Sequence, residues 1–153
     1  MIKRFLRNII LREKSSNEKF IAYLRKKGVE IGTDVRFFSP SNTLVDLSCP
    51  WLLSIGNNVN ITHGVIILTH DWSFLKKIKV GAGEFSENMS ENAYNSVSIG
   101  EDSFIGAGCI ILPGSKIGKF CIVGAGAVVK GDFEDYSVIV GSPARKIKDI
   151  RDE

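Results

Sequence analysis

Two histidines, His63 and His70, are the side chains best suited to proton transfer near neutral pH in this chain of 153 residues. An unperturbed imidazole has a pKa of about 6.5, so it can accept and release a proton at physiological pH. His63 lies inside a regular six-residue repeat, whereas His70 lies where that repeat stops. Both are candidates for acid–base chemistry, and the fold determines which residues surround each of them.

The three cysteines, Cys49, Cys109 and Cys121, favour neither a disulfide framework nor a zinc site. Their number is odd, and no two of them form a Cys-x-x-Cys pair. Two histidines per chain are also too few for a zinc site with three distinct histidine ligands. We therefore expect no metal, and a reducing cytoplasmic environment.

Positive charge is concentrated at the start of the chain. Residues 1–27 hold nine Lys or Arg and two Glu, whereas the whole chain has a net charge of only +3. The remaining residues are therefore net negative, which argues against nucleic acid as a partner of the whole protein. The basic N-terminus could make weak peripheral contact with an anionic membrane, and no run of about 18 apolar residues predicts a transmembrane helix.

A six-residue repeat determines the expected fold. Counting by sixes from Ile99, every position is a β-branched aliphatic and most are followed by Gly, and a shorter tract around Ile55, Ile61 and Ile67 has the same period. This is the period of a parallel β-helix, in which each flat side takes one hexad and about 18 residues complete a three-sided turn. The aliphatics that should point inward are Ile99, Ile105, Ile111, Ile117, Val123 and Val129.

The expected organisation has three parts. An N-terminal helical cap spans 1–28 and contains helices over 2–13 and 16–27, where apolar residues recur at helical spacing. The β-helix spans 29–142, and a C-terminal helix spans 143–153.

The β-helix is expected to be interrupted once. The 32 residues from Ile67 to Ile99 are not a whole number of hexads, so the two tracts are out of frame. Residues 70–96 are therefore predicted to leave the coil as a loop excursion, and long loops of this kind are usually functional. Beyond the coil, Ser142-Pro143 is a typical helix start and predicts a short helix over 144–152.

The repeat resembles the hexapeptide-repeat acyltransferase family over roughly residues 29–150. The strongest segments are 55–73, which contains Ile67-Leu-Thr-His70, and 99–148, which contains Gly141-Ser-Pro-Ala-Arg145. The pattern looks most like O-acetyltransferases that modify surface polysaccharides and lipopolysaccharides. The resemblance implies an all-β fold, a left-handed parallel β-helix of about five coils, and a homotrimer. It also implies acetyl-CoA as the donor and a sugar or polysaccharide acceptor.

The resemblance implies specific roles at the reacting centre. His70 matches the family's catalytic histidine and would be the general base, with Asp71 or Asn60 available to orient it. Ala107 and Ala125 match the positions whose backbone groups bind the pantetheine arm of CoA. The N–H of Ala107 would also stabilise the oxyanion, an effect of about 3 kcal/mol in other oxyanion holes.

The resemblance also implies a site for the adenosine 3′-phosphate. The family's Thr-Lys pair is altered here to Lys130-Gly131, which keeps one cation. Arg145 matches the family's Pro-x-Arg, and Lys148 follows it closely. These three cations satisfy the charge requirement of a phosphate.

The excursion is the expected cover of the acceptor. Trp72 is placed to stack on a sugar ring, with Phe74 or Tyr94 as possible helpers. The lysines of this segment suggest an anionic acceptor, although a solvated loop face explains them equally well; they are Lys76, Lys77 and Lys79.

Other functions remain open at this stage. The same coil occurs in serine acetyltransferases and in antibiotic (xenobiotic) acetyltransferases, and a non-catalytic β-helix scaffold is a further alternative. Serine acetyltransferases usually carry a longer helical N-terminal domain than residues 1–27 provide. For His63, a surface or inter-subunit position is the favoured interpretation.

Overall fold

Short parallel strands form three sheets, which are the three faces of a prism. The computed structural model describes residues 13–73 and 93–152. Sheet 1 contains β1 (Glu30–Ile31), β4 (Leu53–Ile55), β7 (Val97–Ile99), β10 (Lys116–Ile117) and β13 (Asp132–Phe133). Sheet 2 contains β2 (Arg36–Phe37), β5 (Asn60–Ile61), β8 (Phe104–Ile105), β11 (Ile122–Val123), β14 (Ser137–Gly141) and β15 (Ala144–Asp149). Sheet 3 contains β3 (Leu44–Val45), β6 (Ile66–Ile67), β9 (Ile110–Ile111) and β12 (Val128–Val129).

The chain passes through sheets 1, 2 and 3 in turn, and so completes four coils and begins a fifth. Ile99 lies beside Ile117 in sheet 1, eighteen residues further on. The pairing of Ile105 with Val123 in sheet 2 has the same spacing. This register confirms the predicted turn of three hexads.

The repeat aliphatics form the core, as predicted. All six positions from Ile99 to Val129 are at most 2% exposed. Cys109 and Cys121 also point into the coil, where burial raises the pKa of both thiols. A buried, protonated thiol is unreactive, so these two side chains serve as small core residues.

Helix α1 (Asn17–Lys27) packs against the first coil, close to the predicted position of the second helix. The side chain of Ser16 accepts a hydrogen bond from Lys19 N, and Gly28 ends the helix in the left-handed conformation. Phe20 is buried and packs edge-on against Phe37 at a ring distance of 5.0 Å. The helix predicted over 2–13 falls almost entirely outside the described residues. Within the described ranges, no helix has the length and apolarity needed to cross a membrane.

The predicted C-terminal helix is wrong. The Ser142–Pro143 peptide bond is cis, and Gly141 beside it has φ of +98°. These residues form a turn that sends β15 back antiparallel to β14, with Val140 beside Arg145. The physical reason is that β14 would otherwise expose an unpaired strand edge, whose N–H and C=O groups β15 satisfies.

The outward-facing rows of the sheets differ in polarity. The row on sheet 1 is polar throughout and consists of Glu30, Ser54, Ser98, Lys116 and Asp132. The row on sheet 3 is entirely aliphatic and consists of Leu44, Ile66, Ile110 and Val128. Leu44 is 49% exposed in the isolated chain, so sheet 3 presents an apolar flat surface.

Close stacking of turns explains the glycine that follows an inward aliphatic, and it predicts a stability difference. A Cβ at Gly100 would collide with the backbone of Gly118 and lie 2.6 Å from the backbone N of Lys119. We expect Gly100→Ala to lower the free energy of unfolding by about 3 kcal/mol, because rigid backbone must move. Gly126 is the control: it has φ of +70° but no neighbour within 4 Å, so Gly126→Ala should cost only ~1–2 kcal/mol. Urea unfolding measures the free energy of unfolding of both variants. Equal losses would mean that close stacking of the turns is not the reason why glycine is needed at position 100.

Candidate active site

His70 lies on the edge of the prism where sheet 3 meets sheet 1, just after β6. We call this the His70 edge; it is formed by the turns that leave β3, β6, β9 and β12. Asp46 leaves β3 on the same edge, one coil earlier, because Val45 pairs with Ile67. Parallel pairing therefore brings together two side chains that are 24 residues apart in sequence.

Asp46 and His70 are in direct hydrogen-bond contact. The Nδ1 of His70 lies 2.5 Å from the Oδ2 of Asp46, and the His70 side chain is 30% exposed whereas that of Asp46 is 5% exposed. Asp46 Oδ2 also accepts hydrogen bonds from Thr69 N at 3.0 Å and from Thr69 Oγ1 at 2.8 Å. Its Oδ1 accepts a bond from Ser48 N at 2.9 Å. The carboxylate is thus held by donors on both oxygens.

These donors control the ionisation of Asp46. Burial alone raises the pKa of this carboxyl group. Hydrogen bonds from Ser48, Thr69 and His70 act in the opposite direction and together hold the pKa well below its ordinary value. Asp46 is therefore an anion throughout the physiological pH range.

An anionic Asp46 determines which nitrogen of His70 carries the hydrogen. A carboxylate can only accept, so the Nδ1 of a neutral His70 must donate to it. The lone pair is then on Nε2, on the opposite side of the ring. This arrangement can take a proton from a hydroxyl group, and the carboxylate can stabilise the imidazolium that results.

The two ends of the excursion are tied together beside His70. The backbone N of Asp71 donates to Ala93 O at 2.7 Å, and Asn95 N donates to Thr69 O at 2.9 Å. Strand β6 ends at Ile67 and β7 begins at Val97, and most of the excursion predicted over 70–96 lies outside the described residues. The hydrogen bonds fix the exit and return of the loop on either side of the imidazole.

Two aromatic rings flank His70 at this point. The rings of Trp72 and Tyr94 lie 6.4 and 6.0 Å from the imidazole, centroid to centroid. They pack against each other edge-on at 5.8 Å, and Trp72 is 45% exposed. Phe74 and the three predicted lysines, Lys76, Lys77 and Lys79, lie outside the described residues.

Neither of the two residues predicted to orient His70 forms a hydrogen bond with its ring. Asp71 follows His70 in sequence but accepts a hydrogen bond from Ser73 N, which lowers its pKa with a smaller contribution from the charge of Lys130. Asn60 lies on β5 in sheet 2, where it pairs with Arg36 and Phe104, away from the His70 edge. Asp46 is the orienting residue that sequence reasoning missed. One feature of the sequence could have indicated Asp46: it is an acidic residue directly after the inward aliphatic Val45, in the last hexad of a coil.

Ala107 and Ala125 lie on a different edge, where sheet 2 meets sheet 3. We call this the alanine edge. Both residues are exposed, and Ala107 O accepts a hydrogen bond from Gly126 N at 2.8 Å, so they stack in successive coils. Within residues 13–73 and 93–152, the N–H groups of Ala107 and Ala125 have no hydrogen-bond acceptor. Exposed N–H groups beside small side chains can bind carbonyl oxygens of a ligand.

The three predicted phosphate-binding cations do not lie together in one chain. Arg145 pairs with Val140 next to the turn at Gly141, and Val140 packs over Gly124, so Arg145 lies at the end of the alanine edge. Lys148 lies further along β15, beside Val138. Lys130 instead follows β12 on the His70 edge and is near enough to lower the pKa of Asp71.

Within one chain, His70 and Ala107 are on opposite sides of sheet 3. The chain crosses this sheet from one edge to the other in the five residue steps from Ala107 to Leu112. At about 3.3 Å per residue the two edges are roughly 15 Å apart. A single chain therefore does not bring the imidazole to the N–H groups of the alanine edge.

Comparison with known proteins agrees with this architecture. Residues 96–131 match the model of a family described as bacterial transferase hexapeptide (six repeats). Protein CapG of Staphylococcus aureus is 40% identical over 153 residues, which is 98% of this chain and 79% of CapG. The chain belongs to the hexapeptide-repeat transferase family. Membership makes it an enzyme of the transferase class, and several of its relatives are named as acetyltransferases or putative acetyltransferases.

Other relatives and solved structures share the coil. The putative lipopolysaccharide biosynthesis O-acetyl transferase WbbJ of Escherichia coli K12 is 31% identical over 80% of this chain and 64% of its own length. The hexapeptide-repeat acetyltransferase VCA0836 from Vibrio cholerae matches 93% of this chain and 86% of its own, with a TM-score of 0.62 and 20% identity, and so shares the fold. Soybean serine acetyltransferase is 30% identical over 78% of this chain with a TM-score of 0.56, but only 40% of its length is covered.

Proposed function

We propose that this protein is an acetyl-CoA-dependent O-acetyltransferase that modifies a hydroxyl group of a sugar, in a surface polysaccharide or its precursor. The observation that carries the proposal is the Asp46–His70 pair, because a carboxylate on Nδ1 leaves Nε2 as a proton acceptor. The names of WbbJ and of the other acetyltransferase relatives support the same class of reaction. The coil is taken to be the left-handed β-helix of the family.

The reaction needs one base and one oxyanion donor. His70 Nε2 takes the proton of the acceptor hydroxyl while its oxygen bonds to the acetyl carbon. The N–H of Ala107 stabilises the negative charge that develops on the carbonyl oxygen. When the carbon–sulfur bond breaks, the proton passes from His70 to the leaving thiolate, which restores the neutral imidazole.

This geometry needs at least one further copy of the chain, and we propose a cyclic homotrimer. His70 and Ala107 lie on opposite sides of sheet 3 in one chain, so they can meet only across an interface. The aliphatic outer row of sheet 3 supports such an assembly, because apolar surface of this kind is normally covered. A cyclic homotrimer places the His70 edge of one chain beside the alanine edge of the next.

The donor fits the residues of the alanine edge. Ala107 and Ala125 offer exposed N–H groups to the pantetheine amides and the thioester, and Arg145 supplies a cation at the end of the same edge. Lys130 of the neighbouring chain would approach this end from its own His70 edge. Acetyl-CoA supplies the acetyl group, and these residues bind and orient it.

Arg145 is expected to recognise the 3′-phosphate of CoA. We expect Arg145→Ala to weaken binding of CoA by about ten- to a hundredfold and binding of dephospho-CoA by less than threefold, because a hydrogen bond to a charged group contributes ~1.5–3 kcal/mol. Isothermal titration calorimetry with both ligands measures this. Lys119→Ala, where sheet 1 meets sheet 2, is the control and should change neither affinity. Equal losses for CoA and dephospho-CoA would remove Arg145 from the phosphate site.

A sugar acceptor is supported by the aromatic rings beside His70. The ring centroids of Trp72 and Tyr94 lie within 6.4 Å of that of the imidazole, and aromatic rings pack well against the C–H side of a sugar. The test is release of CoA thiol from acetyl-CoA in the presence of a panel of sugars, with mass spectrometry of the acetylated product. Transfer to a sugar hydroxyl supports the proposal.

Serine acetylation is the second candidate, and the likeness to soybean serine acetyltransferase is the observation that favours it. Including L-serine in the same acceptor panel separates the two activities. Transfer to serine alone would replace the sugar proposal. No transfer to any acceptor, with CoA still bound, would favour a non-catalytic scaffold.

A further inference from the structure

We propose that His63 forms the closed end of the donor groove, contacts the acyl group of the bound donor, and restricts it to small acyl groups. This proposal rests on the proposed function, because it assumes that the donor lies along the alanine edge. It gives a role to the one histidine that the general-base chemistry leaves unused.

His63 occupies the same structural position as Ala107 and Ala125, one coil earlier. Each of the three is followed by a glycine in the left-handed conformation; these are Gly64, Gly108 and Gly126, with φ of 71°, 69° and 70°. Gly108 N donates to His63 O at 2.8 Å, just as Gly126 N donates to Ala107 O at 2.8 Å. The three side chains therefore stack on one edge in successive coils.

The stack changes abruptly in size at His63. Ala125 and Ala107 each present a methyl group, whereas the next position presents an exposed imidazole. Successive coils are about 4.8 Å apart, which is within reach of an imidazole side chain. The imidazole thus ends the row of small side chains that the two alanines form, and we place the closed end of the donor groove there.

The direction of the donor places its acyl group at this closed end. Arg145 lies at the opposite end of the alanine edge, beyond Ala125, and would bind the phosphate end of CoA. The thioester would then lie at Ala107, and the acyl group would extend toward His63. An acetyl group fits before the ring, whereas a longer chain must displace it.

His63 is available for this contact. Within the part of the chain that the structure describes, no carboxylate pairs with its ring, in contrast to His70 and its partner Asp46. Its side chain is exposed and is not needed for the core. Substitution at this position should therefore change ligand selection without unfolding the coil.

The first test uses the fact that the chain has only two histidines. In a proton NMR spectrum of the whole protein, the Hε1 signal of His63 is identified by its loss in His63→Gln. We expect this signal to shift when acetyl-CoA is added to saturation, and to shift equally in a His70→Ala background. If calorimetry shows that the protein is saturated with acetyl-CoA and the His63 signal has not shifted, the proposal is overturned.

The second test measures selection by acyl length. Calorimetry should give hexanoyl-CoA at least a tenfold weaker affinity than acetyl-CoA in the wild-type protein, and less than a threefold difference in His63→Gly. His63→Gln, which keeps most of the side-chain volume, should retain the wild-type ratio. An unchanged ratio in His63→Gly, or a wild-type protein that binds both ligands equally, contradicts the role of His63. Failure of any acyl-CoA to bind would instead contradict the proposed function itself.

Discussion

Replacement of His70 by alanine is expected to lower the rate of acetyl transfer by at least ~10², with little change in the affinity for acetyl-CoA. The reason is that a general base acts on the transition state, so its loss lowers kcat without loosening the bound donor. Initial rates with a sugar acceptor found in the panel measure acetyl transfer. Calorimetry measures the affinity for acetyl-CoA separately. The loss should appear in kcat and kcat/KM to a similar extent.

Ser98→Ala is a suitable control for His70→Ala. Ser98 is the second residue of β7, on the polar outer face of sheet 1, and takes no part in the hydrogen bonds of Asp46 and His70. Its rate should stay within a factor of two of the wild-type value. A His70→Ala protein with nearly normal kcat would show that another group removes the proton.

Replacement of Asp46 by asparagine is expected to have the second largest effect, with a fall in kcat of about 10²–10⁴. Asparagine keeps the shape of the side chain but loses the negative charge. It can also present an N–H group to His70, which would favour the tautomer with hydrogen on Nε2 and remove the base; this change of tautomer costs ~10⁴ in a serine protease triad. Binding of CoA should be unchanged, because Asp46 is on the His70 edge.

The same substitution should lower stability in a pH-dependent way. Thr69 N, Thr69 Oγ1 and Ser48 N all donate to the carboxylate, and a buried donor left unpaired costs ~1–3 kcal/mol. The pKa of Asp46 is lower in the folded protein than in the unfolded chain. Its stabilising contribution is therefore complete above the ordinary carboxyl pKa of ~4 and is lost as the pH falls below it.

Urea unfolding of the wild type and of Asp46→Asn between pH 7 and pH 3 measures this contribution. We expect the difference in free energy of unfolding to be constant near neutral pH and to shrink as the pH approaches 3. A difference that grows on acidification would mean that Asp46 is not a stabilised anion in the folded protein.

The fold could be predicted from the sequence because the coil is a local, repeated constraint. Each inward aliphatic contacts its equivalent eighteen residues away, so the period alone gives the three-sided turn. The C-terminus could not be predicted in this way. Ser142-Pro143 occurs both at helix starts and in tight turns, and only the unpaired edge of β14 decides between them.

The candidate site was only partly predictable for a similar reason. His70 is recognisable because it follows a regular hexad at the start of the excursion. Asp46 is not, because the first coil contains extra residues: Val45 pairs with Ile67, 22 residues later and not 18, and His70 lies three residues beyond Ile67. The separation of His70 from Ala107 is likewise a property of the three-dimensional coil, since both residues follow ordinary hexads.

The most direct test of the central claim, that each site combines His70 of one chain with Ala107 of another, is a mixing experiment. Two variants are prepared, His70→Ala and Ala107→Trp, of which the second fills the donor groove; each should be inactive alone. When they are refolded together in equal amounts, a quarter of the sites in a randomly assembled cyclic trimer pair an intact His70 with an intact alanine edge. We predict recovery of roughly a quarter of the wild-type activity. No recovery, in mixed trimers confirmed by native mass spectrometry, would contradict an active site shared between chains.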